Sequence, residues 1–440
     1  MDIFNYSGKR VLIMGIQTSG ISAAFLLRSL NAKVILYDDA TNRNFYDYDT
    51  VNSVTVMDIL KDIDVIVVSP AIPKNHSVLK EAEKYKTFVI GELELGCSFL
   101  TCKQIMVTGT NGKTTIVNML EKLLLSAGLK VKAMGNIGYP VTQVVLDKIE
   151  LDYAIIEVSS FQLEHAHFIK PYISVITNLA PDHMDRYDSY LDYVNTKQNI
   201  CKLQDKNDYI FVNNEDGAAR RFVKVTEATP VAISPRAALS PIFIKDNFFM
   251  MEDTSLCHVK DCKLRGEHNK FNLLMALNIG FLLGVKKEHL TNLIKDYTLL
   301  PNRVEYITTI NGISYYNDSK GTNIHACRFA IDSIDGKIGL IMGGSDKNED
   351  FCEFFENIDP KVVKVAVTGG NAEKIYNSAL KMGYTNITIS RELVDAVELL
   401  SNSKGIDNVL LSPGCASFDR YKNYAERGDK FKEIVYGIKA

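Results

Sequence analysis

The sequence predicts an α/β protein of three domains, built on parallel sheets covered by helices. Short runs rich in Val, Ile and Leu alternate with helical-period segments almost from end to end, the pattern of repeated β-α-β units. The 440 residues exceed the ~250–300 at which a single core stops growing, so more than one domain is expected. The alternation breaks only between Ile242 and Leu264, where hairpin-like text (IFIKDNFFM, then CHVKDCKL) predicts a small β extension.

In chain order, Arg10–Ile16, Lys33–Tyr37, Asp64–Ser69 and Thr87–Ile90 read as short buried strands of a first domain, residues 1–95, with its boundary in the Glu92–Lys103 stretch. A central domain, 96–299, carries the strands Gln104–Thr108, Tyr153–Val158, Ile173–Asn178 and Tyr209–Asn213, then the helices His268–Leu283 and Glu288–Tyr297. Leu300-Pro301-Asn302-Arg303 is the next break, because proline biases the residue before it towards extended backbone. The third domain, 300–440, contributes Ile313–Asn317, Lys337–Met342, Val362–Thr368, Asn386–Ser390 and Asn408–Leu411, again alternating with helices. No internal repeat or low-complexity tract interrupts the chain.

Composition narrows the class. Hydrophobic content of 46% with 23% charged residues is that of a soluble globular protein. A net charge of −3 without a long basic run argues against nucleic acid or an anionic membrane as the main partner. The N-terminus, MDIFNYSGKRVLIMGI, lacks the charged region and apolar length of a signal peptide, and no stretch approaches the ~18 apolar residues of a membrane span. The eight cysteines are scattered without CxxC spacing; Cys257 and Cys262 flank a turn-like stretch, but no second ligand pair follows. Reduced thiols, no structural zinc and a cytoplasmic location are expected.

Residues 108–115, TGTNGKTT, follow the apolar run Gln104–Val107 and precede the apolar-periodic segment from Ile116 to Leu125. This is a strand, a glycine-turned loop and a helix beginning at Lys113 and Thr114. Free N–H groups and the helix dipole make such a start a site for anionic phosphate. Gly109 and Gly112 allow backbone that a side chain would block, Lys113 can reach terminal phosphate oxygens, and the Thr114 hydroxyl can ligate Mg²⁺. The match to the full phosphate-loop pattern is incomplete: Val107 stands where that pattern has its first glycine. The reading is a nucleoside triphosphate site that includes Thr110, Asn111 and Thr115.

Tyr153–Glu157 is an apolar strand ending in a carboxylate. Parallel sheets present ligand sites at strand C-termini, so Glu157 is expected to face the crevice of Thr114, where a hard carboxylate suits Mg²⁺. A polar cluster, Ser159 to Glu164, opens the next helix, and a third strand delivers Asn178 to Asp185, with His183 a candidate for metal or substrate. Near the N-terminus, Gly15-Ile16-Gln17-Thr18-Ser19-Gly20 makes a strand-to-helix turn whose N–H groups suit a pyrophosphate, although Gln17 replaces the second glycine of a dinucleotide fingerprint. Asp38 and Asp39 end the following strand, where a carboxylate can read a base or a ribose.

Taken together, TGTNGKTT, GNIG (135–138), EVSSFQLE (157–164), NLAPDHMDRY (178–187), GEHNKFN (266–272), LPNRVE (300–305), NDSKGTN (317–323), GGSDKNEDF (343–351) and SPGCASFD (412–419) resemble, in order and over essentially the whole chain, the ATP-dependent Mur ligases of peptidoglycan assembly. SSFQLE is the most discriminating block, and the DNPR signature of the diamino-acid-adding members is absent. The resemblance implies Rossmann-like N- and C-terminal domains around a central P-loop ATPase-like domain. It implies an acceptor, UDP-N-acetylmuramoyl-L-alanine, to which ATP-driven ligation adds D-glutamate.

The resemblance also implies roles. Lys113 matches the triphosphate lysine; Thr114, Glu157 and His183 match ligands of two Mg²⁺ ions; Lys197 stands where the family carries a lysine carbamylated by CO₂. Asn269 resembles an adenine contact, and Arg303 and Asp318 resemble groups reaching phosphate and ribose. Thr18, Ser19, Asp38, Ser69, Asn136 and Ser159 match the side that holds the UDP-sugar; Lys320 and Thr322 match the closed cleft that Arg303 and Asp318 share; Lys347, Ser417 and Tyr424 match the D-glutamate end. Some relatives have phenylalanine in place of Tyr424, and Ser345-Asp346 matches loosely. A monomer is expected, with a C-terminal domain that closes on the nucleotide. Three alternatives remain at this stage: a folylpolyglutamate-type ligase, a nicotinamide oxidoreductase resting on the N-terminal turn alone, and a nucleotide-binding scaffold without catalysis.

Overall fold

A computed structural model describes residues 5–39, 47–264, 266–345 and 350–438. The first sheet consists of β1 (Arg10–Met14), β2 (Lys33–Tyr37), β3 (Asp49–Val51), β4 (Val65–Val68) and β5 (Phe88–Gly91), in the spatial order β3-β2-β1-β4-β5. Every pairing is parallel. The order reverses beside β1, and the doubly wound arrangement places the crevice at the C-terminal end of that strand. The inner strands β2, β1 and β4 are apolar runs because helices cover both faces, so side chains pointing either way are buried.

The central sheet is also wholly parallel. It contains β6 (Lys103–Thr108), β7 (Val131–Gly135), β8 (Tyr153–Glu157), β9 (Ile173–Ile176), β10 (Tyr209–Asn213) and β11 (Thr229–Ile233), in the order β11-β10-β9-β6-β8-β7. The expected β extension is a three-stranded sheet of β12 (Ile242–Lys245), β13 (Phe248–Met251) and β14 (Thr254–His258). The helices Glu267–Leu282 and Lys287–Asp296 follow.

The last sheet is mixed: β15 (Glu305–Ile310), β16 (Ile313–Asn317), β17 (Ile338–Met342), β18 (Val362–Val367), β19 (Ile387–Ile389) and β20 (Asn408–Leu411), in the order β15-β16-β20-β17-β18-β19. Only β15 runs antiparallel, joined to β16 by a tight turn at Asn311 and Gly312, both at positive φ. By contacts the chain divides into two compact units. One comprises residues 1–179, 189–257 and 272–293, the other residues 180–188, 258–271 and 294–440.

Candidate active site

In the first unit, register brings three strand ends together. β6 pairs with β8 so that Val107 sits beside Glu157, and with β9 so that Thr108 sits beside Ile176. The phosphate loop, the carboxylate and the Thr177-Asn178 pair therefore emerge at one sheet edge. Asn178 shapes the loop: its carbonyl accepts from Thr110 N at 2.7 Å and its Oδ1 from Asn111 N at 3.0 Å. The carbonyl of Asn111 in turn accepts from Thr177 Oγ1 at 2.6 Å and Asn178 Nδ2 at 2.9 Å.

Gly109 and Gly112 have φ of 143° and 88°, backbone that favours glycine. A Cβ on Gly109 would overlap Thr177 Oγ1, and one on Gly112 would lie 2.7 Å from Asn272 Oδ1. The glycines are thus required by neighbouring protein atoms, independently of the room a phosphate would need. The 14-residue helix Lys113–Ser126 starts where the sequence predicts, with Lys113 and Thr114 in its first turn and Thr115 buried behind them. Lys113 Nζ donates to the carbonyls of Gly109 at 2.8 Å and Thr110 at 2.7 Å.

Glu157 ends β8, 2% exposed. Its Oε1 accepts from Asn136 Nδ2 at 2.8 Å, and its Oε2 is buried without a hydrogen-bond partner. A buried carboxylate oxygen left open is costly in protein alone and suits a hard cation. Among the described residues no group of three or more His, Cys, Asp and Glu could hold a metal ion. The Thr114 hydroxyl and Glu157 Oε2 nevertheless fit Mg²⁺, which takes one or two carboxylates and fills its octahedron with phosphate oxygens and water.

Lys197 lies on the helix Tyr190–Gln198, 2% exposed, with Nζ 3.1 Å from Gly109 O, 3.4 Å from Thr108 Oγ1 and 4.8 Å from the centre of the Tyr193 ring. Tyr193 OH is in turn 2.9 Å from Thr110 Oγ1. Ser159 caps the short helix Ser160–Leu163, in a reciprocal box with Gln162.

At the N-terminal turn Gly15 has φ 88°, and Ser69 Oγ donates to its carbonyl at 2.9 Å. Thr18 and Ser19 open the 12-residue helix Thr18–Ser29, and Gly20 lets that helix approach Gly15 O. Asp38 follows β2 directly. Asp39 accepts from Tyr37 OH and lies 3.3 Å from His76 Nε2, contacts that hold its carboxyl below the usual range, the tyrosine hydrogen bond most of all.

The second unit holds the remaining candidates. Asp318 lies just past β16; its Oδ2 accepts from Ser412 Oγ at 2.7 Å and its Oδ1 from Val304 N at 3.3 Å. Burial pushes its carboxyl up to about 7, against the pull of Ser412, Arg303 and Arg427. Arg303 sits between Asn302 and Val304, whose φ values are 64° and 47°; for a β-branched valine this is strained backbone. Lys320 Nζ donates to Tyr424 OH at 2.9 Å and lies 4.1 Å from the centre of its ring. Thr322 is half-buried in the loop after Lys320, and Ser417 is buried.

His183 has φ 59° and stands 3.7 Å from Asp182 Oδ2; Asn269 is buried in the first turn of Glu267–Leu282. Lys347 lies outside the described residues.

Sequence reasoning missed three groups. Asn178 and Tyr193 shape the phosphate loop from neighbouring elements; Asn178 stands at the end of an apolar strand run, the signal that could have found it. Arg427, on the helix Tyr424–Tyr436, is buried and donates to Ser319 O and Oγ, Gly343 O, Cys415 O and Ala416 O, tying together three loops at the strand ends.

A phosphate loop at the edge of a parallel sheet, with a strand-end carboxylate beside it, defines a phosphate-loop α/β enzyme. The Mur ligase middle domain matches residues 107–280, and the Mur ligase glutamate ligase domain matches residues 302–415. A UDP-N-acetylmuramoylalanine–D-glutamate ligase of Lachnoclostridium phytofermentans is 35% identical, covering 99% of both chains, and one of Thermoanaerobacter pseudethanolicus is 34% identical, covering 97% of this chain and 98% of its own. Among solved structures, the UDP-N-acetylmuramate-alanine ligase of Thermotoga maritima aligns with a TM-score of 0.60 at 17% identity, over 98% of this chain and 100% of that one. The folylpolyglutamate synthase of Mycobacterium tuberculosis aligns at 0.58 and 14%, over 78% and 93%; such distant likeness speaks for the fold alone. The chain belongs to the Mur ligase family, enzymes of ATP-dependent ligation in peptidoglycan precursor synthesis.

Proposed function

We propose that this enzyme joins D-glutamate to UDP-N-acetylmuramoyl-L-alanine at the cost of ATP. Full-length relatives bearing that activity in their names support the substrate pair, and they favour it over a folate acceptor. The observation that carries the reading is the open, buried Oε2 of Glu157 beside the phosphate loop. The alanyl carboxylate attacks the γ-phosphorus, ADP departs, and the resulting acyl phosphate is attacked by the amine of D-glutamate with release of phosphate. Two anions must meet in the first step, so charge neutralisation is the central requirement.

In this reading Lys113 and the loop Gly109 to Thr115 hold the triphosphate, through the N–H groups of that loop other than those of Thr110 and Asn111, which Asn178 takes. Thr114, Glu157, His183 and a carbamylated Lys197 serve two Mg²⁺ ions, which when bound supply electrostatic stabilisation of the transferring phosphoryl group. Carbamylation would convert a buried cation into an anion at a position whose neighbours include a carbonyl, a hydroxyl and the Tyr193 ring. Asn269, Arg303 and Asp318 attend the nucleotide. Thr18, Ser19, Asp38, Ser69, Asn136 and Ser159 attend the UDP-sugar, Lys320 and Thr322 line the closed cleft with Arg303 and Asp318, and Lys347, Ser417 and Tyr424 attend the amino-acid end. One sheet in each of the spans 1–95, 96–299 and 300–440, with the three-stranded extension in the second, supports the three-domain division. A cytoplasmic monomer is our reading; no helix among the described residues is long and apolar enough to cross a membrane.

The test is ADP release measured over a panel of UDP-muramoyl and folate acceptors with each glutamate enantiomer. Turnover requiring UDP-N-acetylmuramoyl-L-alanine and D-glutamate is expected; turnover with folate acceptors instead would refute the proposal.

A further inference from the structure

Ser22, Glu92 and Thr142 form a buried run of hydrogen bonds that the chemistry above does not use. Thr142 donates to Glu92 Oε1 through both its hydroxyl, at 2.7 Å, and its amide, at 2.9 Å. Its hydroxyl proton being committed there, Thr142 Oγ1 accepts from Ser22 Oγ, 2.7 Å away. The amide of Val141 is a further donor to the Glu92 carboxyl, whose pKa is raised by burial. Exposure of the three residues is 3%, 2% and 0%.

A buried carboxyl among hydroxyls is poor value for stability, since apolar side chains of similar volume commonly do as well. What a fully satisfied polar network does supply is one fixed geometry. The segments it joins are informative. Ser22 is on the helix that begins with Thr18 and Ser19. Thr142 is on the helix Val141–Leu146, just after the loop whose Asn136 holds Glu157. Glu92 opens the helix Glu92–Cys97, which leads to the phosphate-loop strand. The packing leaves no slack, because a Cβ on Gly96 would lie 2.7 Å from Val141 Cβ and 2.8 Å from Thr142 N.

We propose that Glu92 is a positioning residue, fixing the span between the turn that grips the uridine diphosphate and the sheet edge where the acyl end of the same substrate reacts. This rests on the substrate reading above. A substrate held at both ends is sensitive to that span, whereas a ligand held at one end is not.

The experiment compares wild type, Glu92→Gln, Thr142→Val and Thr142→Ser. Each is measured for binding of UDP alone, binding of ATP alone, and kcat on the whole acceptor. Glutamine replaces one accepting oxygen of the carboxyl with an NH₂ group that cannot accept, and valine deletes the bridging hydroxyl. Both should bind UDP and ATP within about twofold of wild type while kcat falls on the order of 100-fold, the loss typical of a misplacement near 1 Å. Thr142→Ser, which keeps the hydroxyl, should restore most of the rate. Unchanged kcat in Glu92→Gln and Thr142→Val overturns the proposal, and so does loss of UDP and ATP binding in parallel with kcat. A wild type that binds UDP and ATP but ligates no UDP-muramoyl acceptor refutes the substrate reading itself, and the positioning role with it.

Discussion

Asn136 Nδ2 donates to Glu157 Oε1 at 2.8 Å and leaves the other oxygen of that buried carboxylate open. The amide fixes which oxygen is offered to a cation. Glu157→Gln should lower ADP release by about 100-fold or more, and Asn136→Ala should chiefly raise the Mg²⁺ concentration needed for half-maximal rate. A Mg²⁺ titration of both variants checks this, and an unshifted midpoint in Asn136→Ala would sink the orienting role.

Lys113→Ala should fold yet make almost no ADP. Removing one preorganised cationic donor costs ~3–4 kcal/mol of transition-state stabilisation. Near-wild-type turnover in this variant, with an unchanged melting temperature, would refute the assignment of the loop.

Lys197 is buried against Gly109 O and Thr108 Oγ1. Lys197→Ala should lose most of the Mg²⁺-dependent rate, and wild-type rate should fall when CO₂ is rigorously removed. A high-resolution map with Mg²⁺ in place and a bare ammonium at Lys197 would count against carbamylation.

Asp318 gives a pH signature. Burial raises its folded-state pKa from 3.8 to about 7. Between those values the folded state keeps a proton that the unfolded state has lost. The contribution to stability is therefore complete below about pH 4 and declines as pH rises to about 7, by on the order of 4 kcal/mol. Asp318→Asn should flatten that decline and melt higher than wild type at pH 8 while binding nucleotide more weakly. Equal pH slopes for the two proteins would contradict the assignment.

Arg427→Lys should destabilise the C-terminal sheet's loops, because an ammonium cannot reproduce the fork that reaches carbonyls on three segments. A loss of about 2–4 kcal/mol in denaturant unfolding is expected, with Michaelis constants for D-glutamate rising as Ser417 and Lys320 lose their supports. Unchanged unfolding would show that the network is dispensable.

The strands that sequence reading anticipated are those with neighbours on both sides, together with β5 and β19 at sheet edges and the outer strands of the small β extension. The strands it did not anticipate are β3, β7, β11 and β15, and each lies at an edge. An edge strand need not be a continuous apolar run: β11 carries exposed Pro230, and β15 carries exposed Tyr306 and Thr309. The phosphate loop, Glu157 and the N-terminal turn were legible because strand-loop-helix text fixes their place locally. Tyr193, Glu92 and Arg427 were not, since each matters through partners distant in sequence that only the folded chain brings near.

The position of β6 inside its sheet has a kinetic consequence. Its two neighbours, β8 and β9, begin at Tyr153 and Ile173, and parallel pairing offers no hairpin shortcut to either. Closing such long-range pairs is slow, and the loop that follows β6 cannot take up its shape until Asn178 has arrived from β9. A ribosome-bound chain that stops short of Asn178 should therefore gain no nucleotide affinity, however much helix it has already formed.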